Sequence, residues 1–358
     1  MLKQFKKIQI TVIALITAII IGAAFSWKKV SIVETEMIPG HDNGWLEPLS
    51  IISANTPLIG EGSGVDIGPN GNIFFLHRAG YSFTNNQIIN QDVVVIYSGK
   101  TGEILNTWGS GIFKSPHGIT ISNNTVWITD IMLNKVFKLN LDGSIIQIFG
   151  NDYPFYLEAC LRIRNKFKKL PCTGTAPWYA RPTDVEVYAD GSFVVADGYR
   201  NSRLVKHNPD GSVSWEVGTI GQNDGEFHLP HGLAKDDQGN LYVADRRNAR
   251  IQVFDSTGKW LATWSDKAIG RPYGLDFFED HIWVVDAGDS HEFRGGKERS
   301  QILKLTREGQ IVNRYSSFGG QLGELNLPHD IAIGISKKVF VAEIMNKRLH
   351  EFSEINNH

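Results

Sequence analysis

The chain repeats one short unit along most of its length, and internal repetition constrains a fold more than any single motif. Each unit pairs a short alternating strand with a second strand that is rich in β-branched and aromatic residues. The residue after the proline that opens a unit, or its equivalent in the weaker first unit, serves as a marker position. Six marker residues recur at intervals of 42 to 66 residues: Ser63, His117, Thr183, His231, Tyr273 and His329.

Six such units predict an all-β, six-bladed β-propeller, because one unit cannot bury both faces of its sheet alone and must stack on its neighbours. We place the propeller in residues 45–358, with an inserted loop at about 151–180. The last unit stops near Phe352, short of an outer strand. We therefore expect the segment from Trp45 to Ser53 to complete that blade and to fasten the ring.

The second strands of the later units end in an acid, and these acids have a structural interpretation. We expect their carboxylates to accept hydrogen bonds from the amides of nearby turns. They are Asp130, Asp197, Asp245, Asp286 and Glu343.

The amino-terminal segment differs from the rest of the chain. Residues 8–25 carry no charge and follow Lys3, Lys6 and Lys7, which predicts a membrane-targeting segment with its amino end in the cytoplasm. Residues 1–29 are then either a signal anchor with a transmembrane helix or a cleavable signal peptide, and residues 30–44 are a linker. Both alternatives place the propeller outside the cytoplasm, in the periplasm or the extracellular space, and the anchor would attach it to the membrane.

Charge and cysteine content limit the partners and the covalent bonds of the chain. The formal net charge of −2 leaves no basic excess for a phosphate backbone, which excludes a nucleic-acid-binding role. We expect a monomer. Cys160 and Cys172 are the two cysteines, and an oxidising compartment would allow them to form a disulfide.

Histidine occupies the marker position only in units 2, 4 and 6, as His117, His231 and His329. The other units carry Ser, Thr or Tyr there, so the fold does not require histidine. Alternate blades of a six-bladed ring lie about 120° apart, so the three imidazoles would converge at one mouth of the axial channel. That arrangement predicts a metal site with an open position, suited to zinc and also acceptable to copper, nickel or iron. The alternative is that the three imidazoles only bind backbone carbonyls.

Three further residues follow the strand-end acids, where the chain turns over the same mouth. Arg78 and Arg246 occupy equivalent places in units 1 and 4, and Tyr199 lies two residues after an acid in unit 3. Guanidinium groups near a metal suit a carboxylate ligand, and a phenol there can act as a base. We assign structural roles to His77 and His228.

Five histidines are assigned to turns, outer strands or the tail, and hence to the protein surface. They are His207, His281, His291, His350 and His358.

These residues resemble two known patterns. The segment 245–254 resembles an NHL repeat, and a longer set of segments resembles the peptidyl-α-hydroxyglycine α-amidating lyases, zinc enzymes that form peptide amides. The second likeness spans about residues 60–352. It rests on residues 77–78, 115–119, 126–130, 136–139, 181–185, 197–203, 227–231, 244–246 and 327–330.

The lyase resemblance implies a role for each candidate residue. His117, His231 and His329 would hold zinc, Tyr199 would take the proton of the substrate hydroxyl, and Arg78 and Arg246 would hold the substrate carboxylate. A structural calcium would be bound by the Asp330 carboxylate and the backbone carbonyls of Val65 and Ile119. The substrate would be a small molecule or peptide with a carboxylate, of the N-acyl-α-hydroxyglycine type. Cleavage of its N–Cα bond would yield an amide and glyoxylate.

Two other functions remain open from the sequence. One is a non-catalytic NHL-type propeller, an extracytoplasmic module that binds protein or glycan. The other is a metal-dependent hydrolase such as a lactonase, which usually binds calcium through Glu, Asp and Asn. The three-histidine pattern speaks against the hydrolase.

Overall fold

In the computed structural model the described chain forms a ring of antiparallel sheets. The described residues are 44–56, 58–152, 155–164, 179–266, 268–288 and 300–356. The expected anchor or signal peptide and Cys172 lie outside these residues. Within them, no helix has both the length and the apolar character needed to cross a membrane.

Six four-stranded antiparallel sheets form the blades within the described residues. In blades 1 to 5, the strands follow one another along the chain from the axis outward. Blade 1 consists of β2 (Gly62–Ile67), β3 (Ile73–His77), β4 (Val94–Tyr97) and β5 (Ile104–Trp108). Blade 2 consists of β6 (Pro116–Ser122), β7 (Thr125–Asp130), β8 (Lys135–Asn140) and β9 (Ile145–Phe149). Blade 3 consists of β10 (Asp184–Val187), β11 (Phe193–Asp197), β12 (Arg203–His207) and β13 (Val213–Val217).

The remaining blades have the same antiparallel order of strands. Blade 4 consists of β14 (Pro230–Lys235), β15 (Leu241–Asp245), β16 (Arg250–Phe254) and β17 (Trp260–Trp264). Blade 5 consists of β18 (Pro272–Phe278), β19 (His281–Asp286), β20 (Gln301–Thr306) and β21 (Ile311–Tyr315). Blade 6 consists of β24 (Pro328–Ile333), β25 (Lys338–Glu343), β26 (Arg348–Asn356) and β1 (Gly44–Ile51). Short elements are the parallel pair β22 (Ser317–Phe318) and β23 (Glu324–Leu325), and 3-10 turns at Ile52–Asn55, Pro69–Gly71 and Arg246–Asn248.

The ring is closed by pairing the beginning of the propeller with its end. β1 is the outer strand of blade 6 and pairs antiparallel with β26, from Gly44 opposite Asn356 to Ile51 opposite His350. Leu46 in β1 is buried in a core cluster with Phe352 and Leu325. The predicted completion of the last blade by residues 45–53 is therefore confirmed.

Neighbouring blades pack through aromatic rings and turn glycines. Gly143, in the turn between β8 and β9, has a φ of +87°, and a Cβ there would lie 2.6 Å from the Trp108 ring of blade 1. Gly258 repeats this contact on Trp215, with a φ of +86° and a Cβ distance of 2.9 Å. Any larger residue at these turns would push two blades apart.

The strand-end acids have the predicted structural role. Asp130 is typical: one carboxylate oxygen accepts the amides of Lys114 and Ser115, and the other accepts those of Met132 and Leu133. Four more acids anchor the connection before their own blade by accepting a backbone amide: Asp197 from Ala180, Asp245 from His228, Asp286 from Arg271 and Glu343 from Asn326.

Two histidines that we expected on the surface are buried instead. His207 stacks on Phe193, and its Nε2 lies 2.7 Å from the Tyr179 hydroxyl. His350 stacks on Phe352 in blade 6. The surface assignment is wrong for both, because the third strand of a blade is covered on its two faces by neighbouring blades.

The insertion between blades 2 and 3 is not only a loop in its described part. It contains helix α1, Phe155–Arg164. Leu157 and Leu161, one helical turn apart, pack against Ala180 at the entry to blade 3. Cys160 is half-buried in the same cluster. Because Cys172 lies outside the described residues, the disulfide stays a prediction.

We expect the closing strand to contribute strongly to stability through one side chain. Leu46→Ala should lower the free energy of unfolding by about 2 kcal/mol, because it removes buried methyl groups from the seam of the ring. Leu49→Ala, in the same strand but 41% exposed, should change it by less than about 0.5 kcal/mol. Urea denaturation of both variants measures the difference, and equal effects would show that β1 does not close the core.

Candidate metal centre and active site

Marker residues reach the axis in five of the six described blades because the inner strand is irregular at its start. The pairing of β6 with β7 shifts register between Pro116 and Ile119, and that of β14 with β15 shifts between Pro230 and Leu233. A bulge of this kind turns a side chain out of its regular direction. The marker residues line one small axial cavity, as do the residues that follow them.

The three histidines meet in that cavity. His117, His231 and His329 are buried, and one ring nitrogen of each lies within 4.8 Å of those of the other two. Their ring centroids form a nearly equilateral triangle with sides of 4.6 to 4.8 Å. The predicted convergence of alternate blades is therefore present in the fold.

Each histidine is oriented by a backbone carbonyl of the following blade. The Nδ1 contacts run from His117 to Thr183 (2.7 Å), from His231 to Tyr273 (3.0 Å) and from His329 to Ser63 (2.7 Å). A carbonyl can only accept, so each Nδ1 carries the proton and each Nε2 keeps its lone pair. The carbonyl contacts of our alternative interpretation thus exist, and they leave the second nitrogen available.

The electrostatics keep these imidazoles neutral. Burial lowers the pKa of His117, His231 and His329 well below the usual value, and repulsion from a neighbouring imidazole and from Arg78 and Arg246 lowers it further. Neutral imidazole is the form that binds metals. Nε2 of His231 is buried and has no hydrogen-bond partner among the described residues. The three Nε2 lone pairs converge, and that of His231 accepts no hydrogen bond within the described residues. Such a group of atoms fits a divalent metal that prefers nitrogen ligands.

Tyr199 lies beside this triangle of rings. Its hydroxyl is 3.2 Å from Nε2 of His117, and its ring is perpendicular to that imidazole. Its ring centroid is 6.2 Å from that of His231. The predicted base therefore lies next to a potential metal-binding atom.

Arg78 is completely buried at the same mouth. Its Nε donates to the carbonyl of Pro116 (3.1 Å), and its Nη1 donates to the Glu61 carboxylate (3.0 Å). Burial lowers the pKa of Arg78, and the Glu61 charge opposes that effect. Within the described residues, Nη2 has no acceptor, so one edge of the guanidinium is left for a ligand.

Arg246 is held differently. Its guanidinium carbon lies 3.9 Å from the ring centroid of Tyr273, and its Nη2 donates to the Tyr273 hydroxyl. Its buried Nε has no acceptor in the described part of the chain. The two predicted arginines therefore reach the same three histidines, one paired with a carboxylate and the other with a phenol.

A layer of carboxyl groups lies directly after two of the marker residues, with Asp184 after Thr183 and Asp330 after His329. Asp330 accepts the Val65 amide (3.0 Å). A Cβ on Gly64 would lie 2.8 Å from the Ile119 side chain and 3.5 Å from Asp330, so the three residues predicted for calcium are neighbours. Asp184 lines the same cavity. Burial raises the pKa of Asp184 and Asp330 well above the usual value, and the charge of Asp184 adds to the shift of Asp330. Paired buried carboxyls fit a hard cation.

A second carboxyl layer lies further along the axis. Burial raises the pKa of Asp66 to about 7 and that of Asp276 to about 8. Each accepts an amide of the next blade, Ile121 and Ile333 respectively. These acids therefore tie adjacent inner strands together.

Of the two histidines near the site to which we assigned structural roles, His77 has one, and the role of the His228 side chain stays a prediction. His77 is buried, its Nδ1 accepts the Ala79 amide (2.9 Å), and burial lowers its pKa to about 4. His228 is half-buried, and its backbone amide donates to Asp245.

Sequence reasoning missed Glu61 and Tyr273. Glu61 lies in a connection outside the repeats, so no pattern singled it out. Tyr273 occupies a marker position, and its signal was size: it is the large residue among the markers that are not histidine.

This chain is similar in sequence to known proteins. An NHL repeat family model matches residues 227–254. The probable peptidyl-alpha-hydroxyglycine alpha-amidating lyase of Caenorhabditis elegans is 31% identical over 82% of this chain and 82% of its own length. Peptidyl-glycine alpha-amidating monooxygenase B of Xenopus laevis is 27% identical over 82% of this chain, which spans about a third (34%) of that protein.

Solved structures agree on the architecture alone. A streptogramin B lyase superposes with a TM-score of 0.55 and 16% identity, covering 87% of this chain and 98% of its own. A gluconolactonase from Xanthomonas campestris superposes with a TM-score of 0.56 and 11% identity, covering 83% and 86%. At these identities the likeness establishes the propeller and no activity.

The histidine triangle predicts a specific loss of metal. His231→Gln should lower metal affinity by at least about 100-fold, since changes to outer-shell partners alone cost about 10- to 100-fold. His281→Gln, on the second strand of blade 5, should leave metal content unchanged. Elemental analysis after dialysis measures both. Full metal content in the His231 variant would exclude these histidines as the ligands.

The raised pKa of Asp276 predicts a dependence of stability on pH. The folded protein holds a proton up to about pH 8, whereas the unfolded chain releases it near the usual pKa of 3.8. The contribution of this group to the free energy of unfolding is therefore lost as pH rises between these values. Asp276→Asn should flatten that decline in the presence of a chelator, whereas Asp152→Asn, on a 94% exposed side chain, should not. Denaturation at pH 5, 7 and 9 tests this, and parallel curves would contradict it.

Proposed function

Because this chain belongs to the peptidyl-α-hydroxyglycine α-amidating lyase family, we propose that it is a zinc-dependent carbon–nitrogen lyase. Its substrate is an N-acyl-α-hydroxyglycine, a small molecule or a peptide, and its products are an amide and glyoxylate. The observation that carries this proposal is the meeting of three Nε2 lone pairs with the Tyr199 hydroxyl and two buried guanidinium groups.

The three histidines would hold zinc, which supplies a Lewis acid that polarises the substrate hydroxyl oxygen. Tyr199 acts as the base and takes the proton of that hydroxyl. The O–H electron pair forms the carbonyl of glyoxylate, the N–Cα bond breaks, and the departing amide nitrogen keeps the bonding pair and takes up a proton. The 3.2 Å between Tyr199 and His117 is the contact that supports this role for the phenol.

The two arginines bind and orient the carboxylate. Arg78 and Arg246 each have a buried N–H without an acceptor in the described residues. A carboxylate can accept such donors in a bidentate manner, and burial strengthens the bonds. The carboxylate is thereby held beside the histidines, with the hydroxyl-bearing carbon next to it.

The proposal also covers a second metal, the oligomeric state and the location of the protein. We propose that calcium occupies the layer formed by Asp330, Val65 and Ile119 and that it stabilises the inner strands. We also propose that the monomeric protein acts outside the cytoplasm, attached to a membrane through residues 1–29, and that it does not bind nucleic acid.

The test is glyoxylate release from N-benzoyl-α-hydroxyglycine by the full-length protein, measured after chelation and again after zinc is restored. We expect release only with zinc. Tyr199→Phe should lower kcat by about 100- to 10,000-fold with unchanged metal content. Tyr156→Phe, which changes an exposed tyrosine of α1, is the matched control and should keep the full rate.

Two results would contradict this proposal at different levels. A folded, zinc-loaded protein that releases no glyoxylate would favour the non-catalytic binding module. Zinc-dependent release that persists in Tyr199→Phe would retain the lyase and remove Tyr199 as its base.

A further inference from the structure

We propose that Tyr273 is a positioning residue that holds Arg246 beside the three histidines and thereby sets the affinity for the substrate carboxylate. This inference rests on the proposed lyase function and concerns the same site. It assigns a role to a marker residue for which neither the repeat pattern nor the lyase resemblance gave one.

The first argument comes from the equivalent residues of the other odd-numbered blades. Ser63 and Thr183 use their short hydroxyls to lock one blade to the next: Ser63 Oγ donates to the Pro116 carbonyl (3.1 Å), and Thr183 Oγ1 donates to the Pro230 carbonyl (2.9 Å). Blade 5 carries Tyr273 at this position, and its hydroxyl accepts a hydrogen bond from Nη2 of Arg246. The third odd blade therefore uses its hydroxyl on a group of the active site.

The second argument is the location of the Tyr273 ring. It is buried beside two of the three histidines, with centroid distances of 5.0 Å to His231 and 5.9 Å to His329. The Arg246 guanidinium also contacts this ring, with its carbon 3.9 Å from the ring centroid. Tyr273 thus holds the guanidinium through a cation–π contact and a hydrogen bond.

The third argument is charge. Arg78 donates to the Glu61 carboxylate, which compensates its charge in part. The Arg246 contact is with a phenol and not with a carboxylate, so this hydrogen bond does not pair the Arg246 charge with an acid. A buried cation held by a neutral group stabilises a bound anion more strongly than one already paired with a carboxylate. The Tyr273 contact therefore orients Arg246 and leaves its charge for the substrate.

The experiment compares an uncleavable acid with its neutral amide. N-benzoylglycine and N-benzoylglycinamide are titrated calorimetrically into the full-length, zinc-loaded protein and into Tyr273→Phe, which keeps the ring and removes the hydroxyl. We expect the variant to bind the acid about 10-fold more weakly, the scale of one hydrogen bond to a charged group. Its affinity for the amide should stay within about 2-fold. Tyr242→Phe removes another buried hydroxyl bond, that to Asp236, and should change neither affinity.

A double-mutant cycle tests whether Tyr273 acts through Arg246. In an Arg246→Lys background, Tyr273→Phe should weaken binding of the acid by less than about 2-fold. In turnover, Tyr273→Phe should raise KM by about 10-fold and change kcat by less than about 2-fold. A purely structural role would weaken acid and amide alike and would persist in the Arg246→Lys background.

The outcomes separate this inference from the proposed function. Equal affinity of wild type and Tyr273→Phe for the acid overturns the inference, whether or not glyoxylate is released. If the wild type releases no glyoxylate but Tyr273→Phe still loses binding of the acid alone, the lyase proposal fails and the role of Tyr273 stands. If the wild type does not prefer the acid to the amide, the inference is wrong.

Discussion

The hydrogen bond from each of the three converging histidines to a carbonyl of the next blade is the interaction on which the whole site depends. It fixes the ring, the tautomer and the direction of the free lone pair together. It also joins blade 2 to 3, blade 4 to 5 and blade 6 to 1, so the site and the closure of the ring share the same bonds. Ser63 and Thr183 join blade 1 to 2 and blade 3 to 4 by hydroxyl bonds to proline carbonyls. A displacement of any blade would therefore move one of the three converging imidazoles, and a rigid propeller suits a site that holds three nitrogens at fixed distances.

Charged and polar groups are arranged in layers along the axis: guanidinium groups, then imidazoles, then carboxyl groups. Two guanidinium groups at the mouth, together with burial, keep the imidazoles neutral. One residue further along the strands, Asp184 and Asp330 place buried carboxyl groups below the rings. Nitrogen ligands followed by oxygen ligands favour different metals at neighbouring positions, a soft or borderline ion above and a hard ion below. The order follows from sequence, because Asp330 directly follows His329 on the same strand.

Much of the fold and of the histidine cluster could be predicted from the sequence, because equivalent positions of the repeats can be compared with one another. His117, His231 and His329 stood out against Ser63 and Thr183, and the missing outer strand of the last unit pointed to the segment that closes the ring. The burial of two histidines could not be predicted, because it depends on which residues of other blades pack on a strand. His207 and His350 lie in the third strands of their blades, which we took from the sequence to be at the surface. In the structure, the neighbouring blades cover both faces of these strands, and each histidine stacks on an aromatic ring. Glu61 belongs to a connection without a repeat, and only the fold brings it to Arg78.

Tyr273 shows why departures within a repeat need chemical comparison and not only counting. Ser, Thr and Tyr at one position look like tolerance of any hydroxyl, and that interpretation conceals a functional difference. A short hydroxyl can reach the carbonyl of the adjacent strand, as Ser63 and Thr183 do, whereas the Tyr273 hydroxyl bonds to Arg246 in a connecting turn of blade 4. Six equivalent positions around one axis are thus divided into three kinds: three imidazoles that converge, two hydroxyls that join blades and one phenol that contacts a cation. A propeller supports such a division because each blade contributes one side chain to the axis while the other five hold the geometry.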